Sequence, residues 1–113
     1  QADGAPRLTH ARVTYRYTGE LEGTGTVHYL MVYRADGSAS YVGLEQFDGR
    51  LGGKAGSFVL QHTGTHTENT AQSACLVVPG SGTGELAGLR GEAIAVAAGH
   101  QPAYPFTLDY TFD

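Results

Sequence analysis

The sequence has little of the material that several classes of protein require. It contains one cysteine, Cys75, so no internal disulfide can form and a disulfide-built secreted scaffold is excluded. It contains one lysine, Lys54, and a formal net charge of −4, which argues against a nucleic-acid partner. It also lacks any run of about 18 apolar residues, so we expect no membrane-spanning segment.

The same scarcity of cysteine favours a reducing compartment, and we expect a cytoplasmic location. The chain begins at Gln1 rather than methionine, so a cleaved signal peptide remains an alternative. With 113 residues and 41% hydrophobic content, residues 1–113 are expected to form a single globular domain.

Glycine, by contrast, is abundant: there are 17, interspersed with threonine and tyrosine among short apolar runs. This composition is typical of β-strands joined by tight turns. Period-two alternation is clearest in residues 104–113, where apolar and polar side chains occupy opposite faces. The predicted strands are residues 8–18, 25–34, 40–47, 56–64, 73–78, 91–98 and 104–113. Residues 91–98 also fit a short helix that ends at Gly99.

The connectors carry turn signals that suit hairpins, namely Asp36-Gly37, Asp48-Gly49 and Gly52-Gly53. Strands that follow one another at short spacing predict an all-β, antiparallel, up-and-down barrel, because closure removes the sheet edges. Residues 25–34, 40–47 and 56–64 are apolar on both faces. We therefore expect the outer face to be covered by another subunit in a homo-oligomer.

The segment 77–91, "VVPGSGTGELAGLRG", contains a formal match to a dinucleotide-binding fingerprint at residues 82–87. That fingerprint works only where a strand leads into a helix, and Gly88 and Gly91 disfavour a helix here. The glycines are better explained as a corner between two strands. His62 and His66 would lie about 13 Å apart on a strand, too far to share one metal ion, so no metal and no cofactor is expected.

The predicted inward face carries two polar residues, Glu45 and His62, among tyrosines. A carboxylate and an imidazole in a concave aromatic lining form a candidate catalytic acid/base couple. Two alternatives remain open: the pair binds itself or tyrosine hydroxyls as a structural cluster, or a one-residue bulge turns Glu45 to solvent. Cys75 lies in an apolar strand without a basic neighbour and is interpreted as inert packing.

Several long blocks, among them "GTVHYLMVYRADGSASYVGLEQFDGRLGGKAGSFVLQHTGT" and "LVVPGSGTGELAGLRGE", closely resemble the bacterial domain-of-unknown-function family 3224. The resemblance implies an allene-oxide-cyclase-like barrel of eight strands with a central cavity, often oligomeric. It implies no catalytic residues, because none is established for the family. Compared with the family pattern, the first strand is expected to be absent, or else to belong to a segment that precedes residue 1, and Cys75 lies where a large aromatic is expected. If Cys75 points inward, the cavity is enlarged.

The sequence therefore leads to the hypothesis of a barrel pocket that binds an apolar small molecule. The expected ligand-binding residues are Tyr15, Tyr17, Tyr29, Tyr33, Tyr41, Cys75 and Tyr110. If the protein is an enzyme, the expected reaction is a cofactor-free isomerisation or cyclisation of a conjugated substrate, with Glu45 or His62 moving the proton. The alternatives are a carrier without chemistry, and an interaction barrel that is filled by side chains and oligomerises.

Overall fold

A computed structural model describes residues 7–68, 70–98 and 106–113. These residues form one antiparallel sheet in which each strand pairs with the next in the chain. The strands are β1 (Arg7–Tyr17), β2 (Leu21–Tyr33), β3 (Ala39–Leu51), β4 (Lys54–Thr67), β5 (Thr70–Val77), β6 (Leu89–Ala98) and β7 (Asp109–Phe112). The predicted all-β, up-and-down topology is confirmed, and residues 91–98 belong to a strand rather than a helix.

Closure of the sheet is only partial, so the predicted barrel is not complete. Strands β1 and β7 are the two edges, and no hydrogen-bonded ladder joins them in the described residues. Side chains bring the edges together at one end, where the ring of Tyr17 packs on that of Phe106 with centroids 5.5 Å apart. The fold is therefore a curled sheet with a seam between its first and last strands.

Strands β2 and β3 are longer than predicted because a glycine pair lets them continue. Asp48-Gly49, predicted as a turn, lies inside β3, and Gly49 is opposite Gly23 of β2. A Cβ on Gly49 would lie 2.1 Å from the carbonyl oxygen of Glu22, so the close approach of the two backbones requires glycine. The turn itself is made by the next two glycines, residues 52 and 53, which both have positive φ.

One further predicted turn is confirmed, and the last predicted strand is shorter than expected. The Asp36-Gly37 turn is confirmed, with Gly37 at φ +89° and the backbone N–H of Ser38 donating to the Asp36 carboxylate. The last strand is shorter than predicted, since it covers only Asp109–Phe112. Leu108 is buried although it precedes that strand, and residues 104 and 105 lie outside the described residues.

The glycine-rich segment is a corner, as expected, and it also covers an edge of β4. Strand β5 pairs only with residues 60–67 of β4, and residues 78–83 continue along the rest. The N–H of Val78 donates to the Val59 carbonyl, and the N–H of Thr83 donates to the Ser57 carbonyl. A short 3₁₀ turn, Gly84–Leu86, then places Leu86 in the core. The segment thus hides backbone groups that an exposed strand edge would present.

Strict alternation along the strands divides the interior into two clusters. The larger cluster fills one end of the curl with aliphatic and phenylalanine side chains, including Phe47, Phe58 and Leu60. The smaller one, at the other end, consists of Val27, Tyr29 and Tyr41. Glu45 and His62, the two polar residues predicted to face inward, lie where these clusters meet. This junction is the candidate functional site.

Candidate functional site

Glu45 is the most deeply buried ionisable side chain at the junction, with none of its surface exposed. The alternation of β3 points it inward, so the predicted orientation is correct and no bulge turns it to solvent. The Tyr17 hydroxyl donates to Oε2 at 2.6 Å, and Nε2 of His62 lies 2.6 Å from Oε1. Both carboxyl oxygens of Glu45 are therefore engaged in hydrogen bonds.

A glycine creates the space that this carboxylate occupies. A Cβ added to Gly25 on the neighbouring strand would lie 1.8 Å from Oε2 of Glu45. Any larger residue at position 25 would displace the carboxylate from the place where Tyr17 and His62 hold it. The position of Glu45 thus depends on a residue that sequence reasoning did not single out.

His62 is held through both ring nitrogens. Strand β4 places it directly opposite Cys75 of β5, and the Cys75 Sγ lies 3.3 Å from Nδ1. Burial alone would lower the pKa of His62, but its hydrogen bonds with Cys75 and Glu45 outweigh burial and raise that pKa to about 9. The imidazole is therefore coupled to a carboxylate on one side and a thiol on the other.

The contact with His62 corrects the interpretation of Cys75. The thiol is buried and inward-facing, but it has a basic neighbour across the β4–β5 pair rather than none. The signal that could have revealed this is the polar turn between the strands, since pairing of Thr67 with Thr70 fixes the register that puts residues 62 and 75 opposite each other.

Three of the predicted tyrosines surround this chain of hydrogen bonds. The hydroxyls of Tyr15 and Tyr29 are 3.2 Å apart, and the Tyr29 ring packs edge-on against His62 with centroids 5.8 Å apart. The Tyr41 ring packs on Tyr29, and its hydroxyl shares a hydrogen bond with Ser73, another residue that sequence reasoning missed. Desolvation is the main reason that the pKa values of Tyr17, Tyr29 and Tyr41 are raised, so their neutral hydroxyls are favoured.

The structure does not bring the other two predicted tyrosines to the cluster. The Tyr33 hydroxyl points to the sulfur of Met31, and the guanidinium of Arg7 lies over its ring. Tyr110 packs against Phe112 and against the larger core cluster. Among the tyrosines that the structure describes, those close to the Glu45–His62 pair are Tyr15, Tyr17, Tyr29 and Tyr41.

The inward face is only partly covered beside the cluster. Ala11 and Val13 of β1, Met31 of β2 and Ala95 of β6 share the inward face but are only partly buried. Tyr15, also on that face, is 39% exposed. Side chains that point into a filled interior would be buried, so their exposure marks a trough, here called the inner trough.

A second concavity lies on the opposite, outward face of the sheet. This outer groove has a volume of about 670 Å³ and includes Leu30, Val42, Thr63, Ala74 and Ile94 in its lining. These residues form one cross-strand row from β2 to β6, facing away from Glu45 and His62. The predicted inner pocket and the outer groove are therefore distinct places.

The part of the chain that the structure describes holds neither a cluster of metal-ligating side chains nor a helix that could span a membrane. Within residues 7–68, 70–98 and 106–113, no group of three or more metal-ligating side chains is arranged to hold an ion. Over the same ranges, no helix is long and apolar enough to cross a membrane.

These features define the chain as a small, curled antiparallel β-protein with a buried hydrogen-bonded cluster beside a partly covered inward face. The model of the DUF3224 family, described as proteins of unknown function, matches residues 1–110, so the chain belongs to that family. A crystal structure of a DUF3224 protein of unknown function from Shewanella oneidensis MR-1 is 34% identical, with a TM-score of 0.82. The similarity covers 99% of this chain and 83% of that one. No protein with a curated description matches the chain.

Proposed function

We propose that the inner trough binds an apolar small molecule and that the adjoining Glu45–His62 pair transfers a proton to or from it. The observation that carries the proposal is a fully buried carboxylate, hydrogen-bonded to an imidazole, next to inward-facing apolar side chains that are only partly buried. Concave sites with an apolar lining and a few convergent polar groups are the usual form of ligand pockets.

The chemistry of the lining supports an apolar ligand. Ala11, Val13, Met31 and Ala95 provide aliphatic surface, while the Tyr15 and Tyr29 hydroxyls provide a polar contact at its border. A carbonyl group placed at these hydroxyls would accept a hydrogen bond. The hydrocarbon part would then cover the partly exposed side chains and remove them from water.

The arrangement of the pair supports proton transfer. Glu45 fixes Nε2 of the imidazole, so the ring keeps one orientation while Nδ1 faces the thiol. A base held in this way by a carboxylate is the arrangement used in general acid–base catalysis. The reaction class that fits is isomerisation through removal of a proton next to a carbonyl group.

Two alternatives to proton transfer are compatible with the same residues. In a carrier, the trough binds the ligand and the polar cluster only fixes the tyrosines. In a purely structural cluster, the hydrogen bonds merely satisfy polar groups; no buried side-chain polar atom in the described residues lacks a partner. Proton exchange on a bound ketone separates the three possibilities.

The test uses benzylacetone, an apolar saturated ketone, in D₂O. Wild-type protein should catalyse deuterium incorporation at the carbons next to the carbonyl, as followed by NMR. Glu45→Gln and His62→Gln should lose at least about tenfold of the rate, since a positioned base contributes about 10²–10⁴-fold. Tyr33→Phe, which alters a tyrosine outside the cluster, is the matched control and should retain the rate.

Binding of benzylacetone without deuterium incorporation would indicate a carrier. Neither binding nor exchange, in a protein that is folded by circular dichroism, would leave the structural cluster and contradict the proposal.

We also propose that the chain self-associates through its outer face. The exposed apolar side chains there are Leu8, Leu30, Val32, Val42, Leu44, Leu76, Ile94 and Val96. With strands about 4.8 Å apart and residues on one face about 6.8 Å apart, they span roughly 400 Å². This is about half of the roughly 800 Å² that each partner contributes to a stable interface, and a polar rim would supply the rest. The proposed partner is a second copy of the chain.

A further inference from the structure

The Cys75 thiol has no role in proton exchange on a ketone, yet it is bound to the same imidazole. Sγ of Cys75 lies 3.3 Å from Nδ1 of His62, and Nε2 of that ring lies 2.6 Å from Oε1 of Glu45. A nucleophile, a base and an orienting carboxylate therefore stand in line. This order of groups is the arrangement by which proteins activate a cysteine or serine.

The geometry determines which nitrogen can act as the base. A carboxylate only accepts hydrogen bonds, so Nε2 must donate its proton to Glu45. Once the imidazole is neutral, above its raised pKa of about 9, Nδ1 is unprotonated and can take the thiol proton. Because Tyr17 holds the other carboxylate oxygen and Tyr29 packs on the ring, neither partner can rotate freely out of this arrangement.

We propose that Cys75 is a nucleophile for apolar α,β-unsaturated ketones, with His62 as its base and Glu45 as the residue that positions His62. The proposal rests on the proposed binding of apolar carbonyl compounds in the inner trough, and it names their class. The conjugated ketone is the only reactant required besides the protein.

The addition balances without an oxidant or a reductant. His62 Nδ1 takes the thiol proton, and the sulfur forms a bond to the β-carbon of the ketone. The electron pair of the C=C bond moves towards the carbonyl, giving an enolate, and His62 returns the proton to the α-carbon. The product is a thioether in which S–H has added across the double bond. In the enolate the bond between the α- and β-carbons is single and can rotate. If the sulfur then leaves, the ketone is released with the opposite double-bond geometry.

The thiol is covered by neighbouring side chains. Cys75 is 3% exposed, so a reactant must enter past neighbouring side chains. Tyr15 lies on edge strand β1, which pairs on one side only, and its hydroxyl contacts Tyr29 over His62. Shortening Tyr15 should therefore widen the entrance, while the Tyr29 hydroxyl remains to bind the carbonyl and the Cys75, His62 and Glu45 side chains are unchanged.

The experiment measures adduct formation with benzylideneacetone by intact-mass spectrometry of the folded protein, at a pH of about 9, where a neutral His62 imidazole is available. Since the chain has one cysteine, Cys75→Ser gives the blank for reaction elsewhere. The wild type should gain one adduct, Tyr15→Ala should react faster, and His62→Gln should react at least about tenfold more slowly. Tyr33→Phe should react at the wild-type rate. Circular dichroism and urea unfolding establish that each variant is folded.

Retention of benzylacetone, the saturated analogue, is measured in parallel by native mass spectrometry. Retention of benzylacetone without a Cys75 adduct would overturn the nucleophile but keep the proposed binding. If the protein neither retains benzylacetone nor forms a Cys75 adduct, the proposed binding in the inner trough is overturned as well. An adduct that forms equally fast in wild type and folded His62→Gln would overturn the role of His62 as base.

Discussion

The carboxylate of Glu45 occupies the space that a side chain at Gly25 would fill: a Cβ there would lie 1.8 Å from Oε2. The glycine and the buried acid are therefore a matched pair on neighbouring strands. Since Glu45 is hydrogen-bonded to both Tyr17 and His62, moving it would break two hydrogen bonds of a fully buried side chain.

Replacement of this glycine should be costly for stability. Gly25→Ala should lower the free energy of unfolding by about 2 to 4 kcal/mol, because it disrupts a buried, hydrogen-bonded ion pair. Thr24→Ala, at the exposed neighbouring position on the same strand, should change it by about 0.5 kcal/mol or less. Urea unfolding measures both. Equal effects of the two substitutions would show that Glu45 is not fixed as described.

The protonation of His62 should persist into alkaline solution. Its pKa is raised from 6.5 to about 9, so the folded state retains a proton that the unfolded state has lost. The resulting stabilisation is fully present below pH 6.5 and is lost as the pH rises through 9. NMR titration of the ring protons should give the higher pKa in wild type and a lower one in Glu45→Gln. An ordinary pKa in the wild type would contradict the hydrogen-bond chain.

The tyrosines of the same cluster should ionise at a higher pH than exposed tyrosines. The pKa values of Tyr17, Tyr29 and Tyr41 are raised, chiefly by burial. Above about pH 10 the unfolded chain loses tyrosine protons that the folded chain keeps, so stability should fall. Phenolate absorbance should therefore appear in two steps, exposed tyrosines first and the buried ones only as the protein unfolds. A single step that precedes unfolding would contradict the burial of the three hydroxyls.

Charge on the outer face should separate the copies of the chain. Leu44→Lys places a cation in the exposed apolar surface and should convert a self-associated wild type to monomers. Thr14→Lys adds the same charge on edge strand β1, at a position that is already polar, and should leave the assembly intact. Light scattering after size exclusion gives the masses. A wild type that is monomeric at high concentration would refute the self-association.

The sequence predicted the faces and the order of the strands well, and the side-chain contacts between neighbouring strands less well. Period-two alternation was enough to point Glu45 and His62 inward, because a buried face tolerates no slip of one residue. The contact between His62 and Cys75 depends on the register of β4 and β5, which a short polar turn sets and alternation does not reveal.

Closure of the sheet could not be predicted from the strands alone. Alternation suggested a barrel, but whether β1 meets β7 depends on sheet curvature and on packing such as that of Tyr17 on Phe106. The room for Glu45 likewise comes from Gly25, whose role appears only when two strands are placed side by side. Sequence patterns describe one strand at a time, whereas both features arise between strands.

The most direct measurement of the central claim is ligand retention by native mass spectrometry after incubation with mixed apolar metabolites and desalting. Wild type should retain a small molecule, and Val13→Trp, which fills the inner trough, should not. Ile94→Lys alters the outer groove, where Ile94 is 71% exposed, and should retain it like the wild type. Loss in Ile94→Lys with retention in Val13→Trp would place the ligand on the wrong face, and no retention by any form would contradict the inner trough as a binding site.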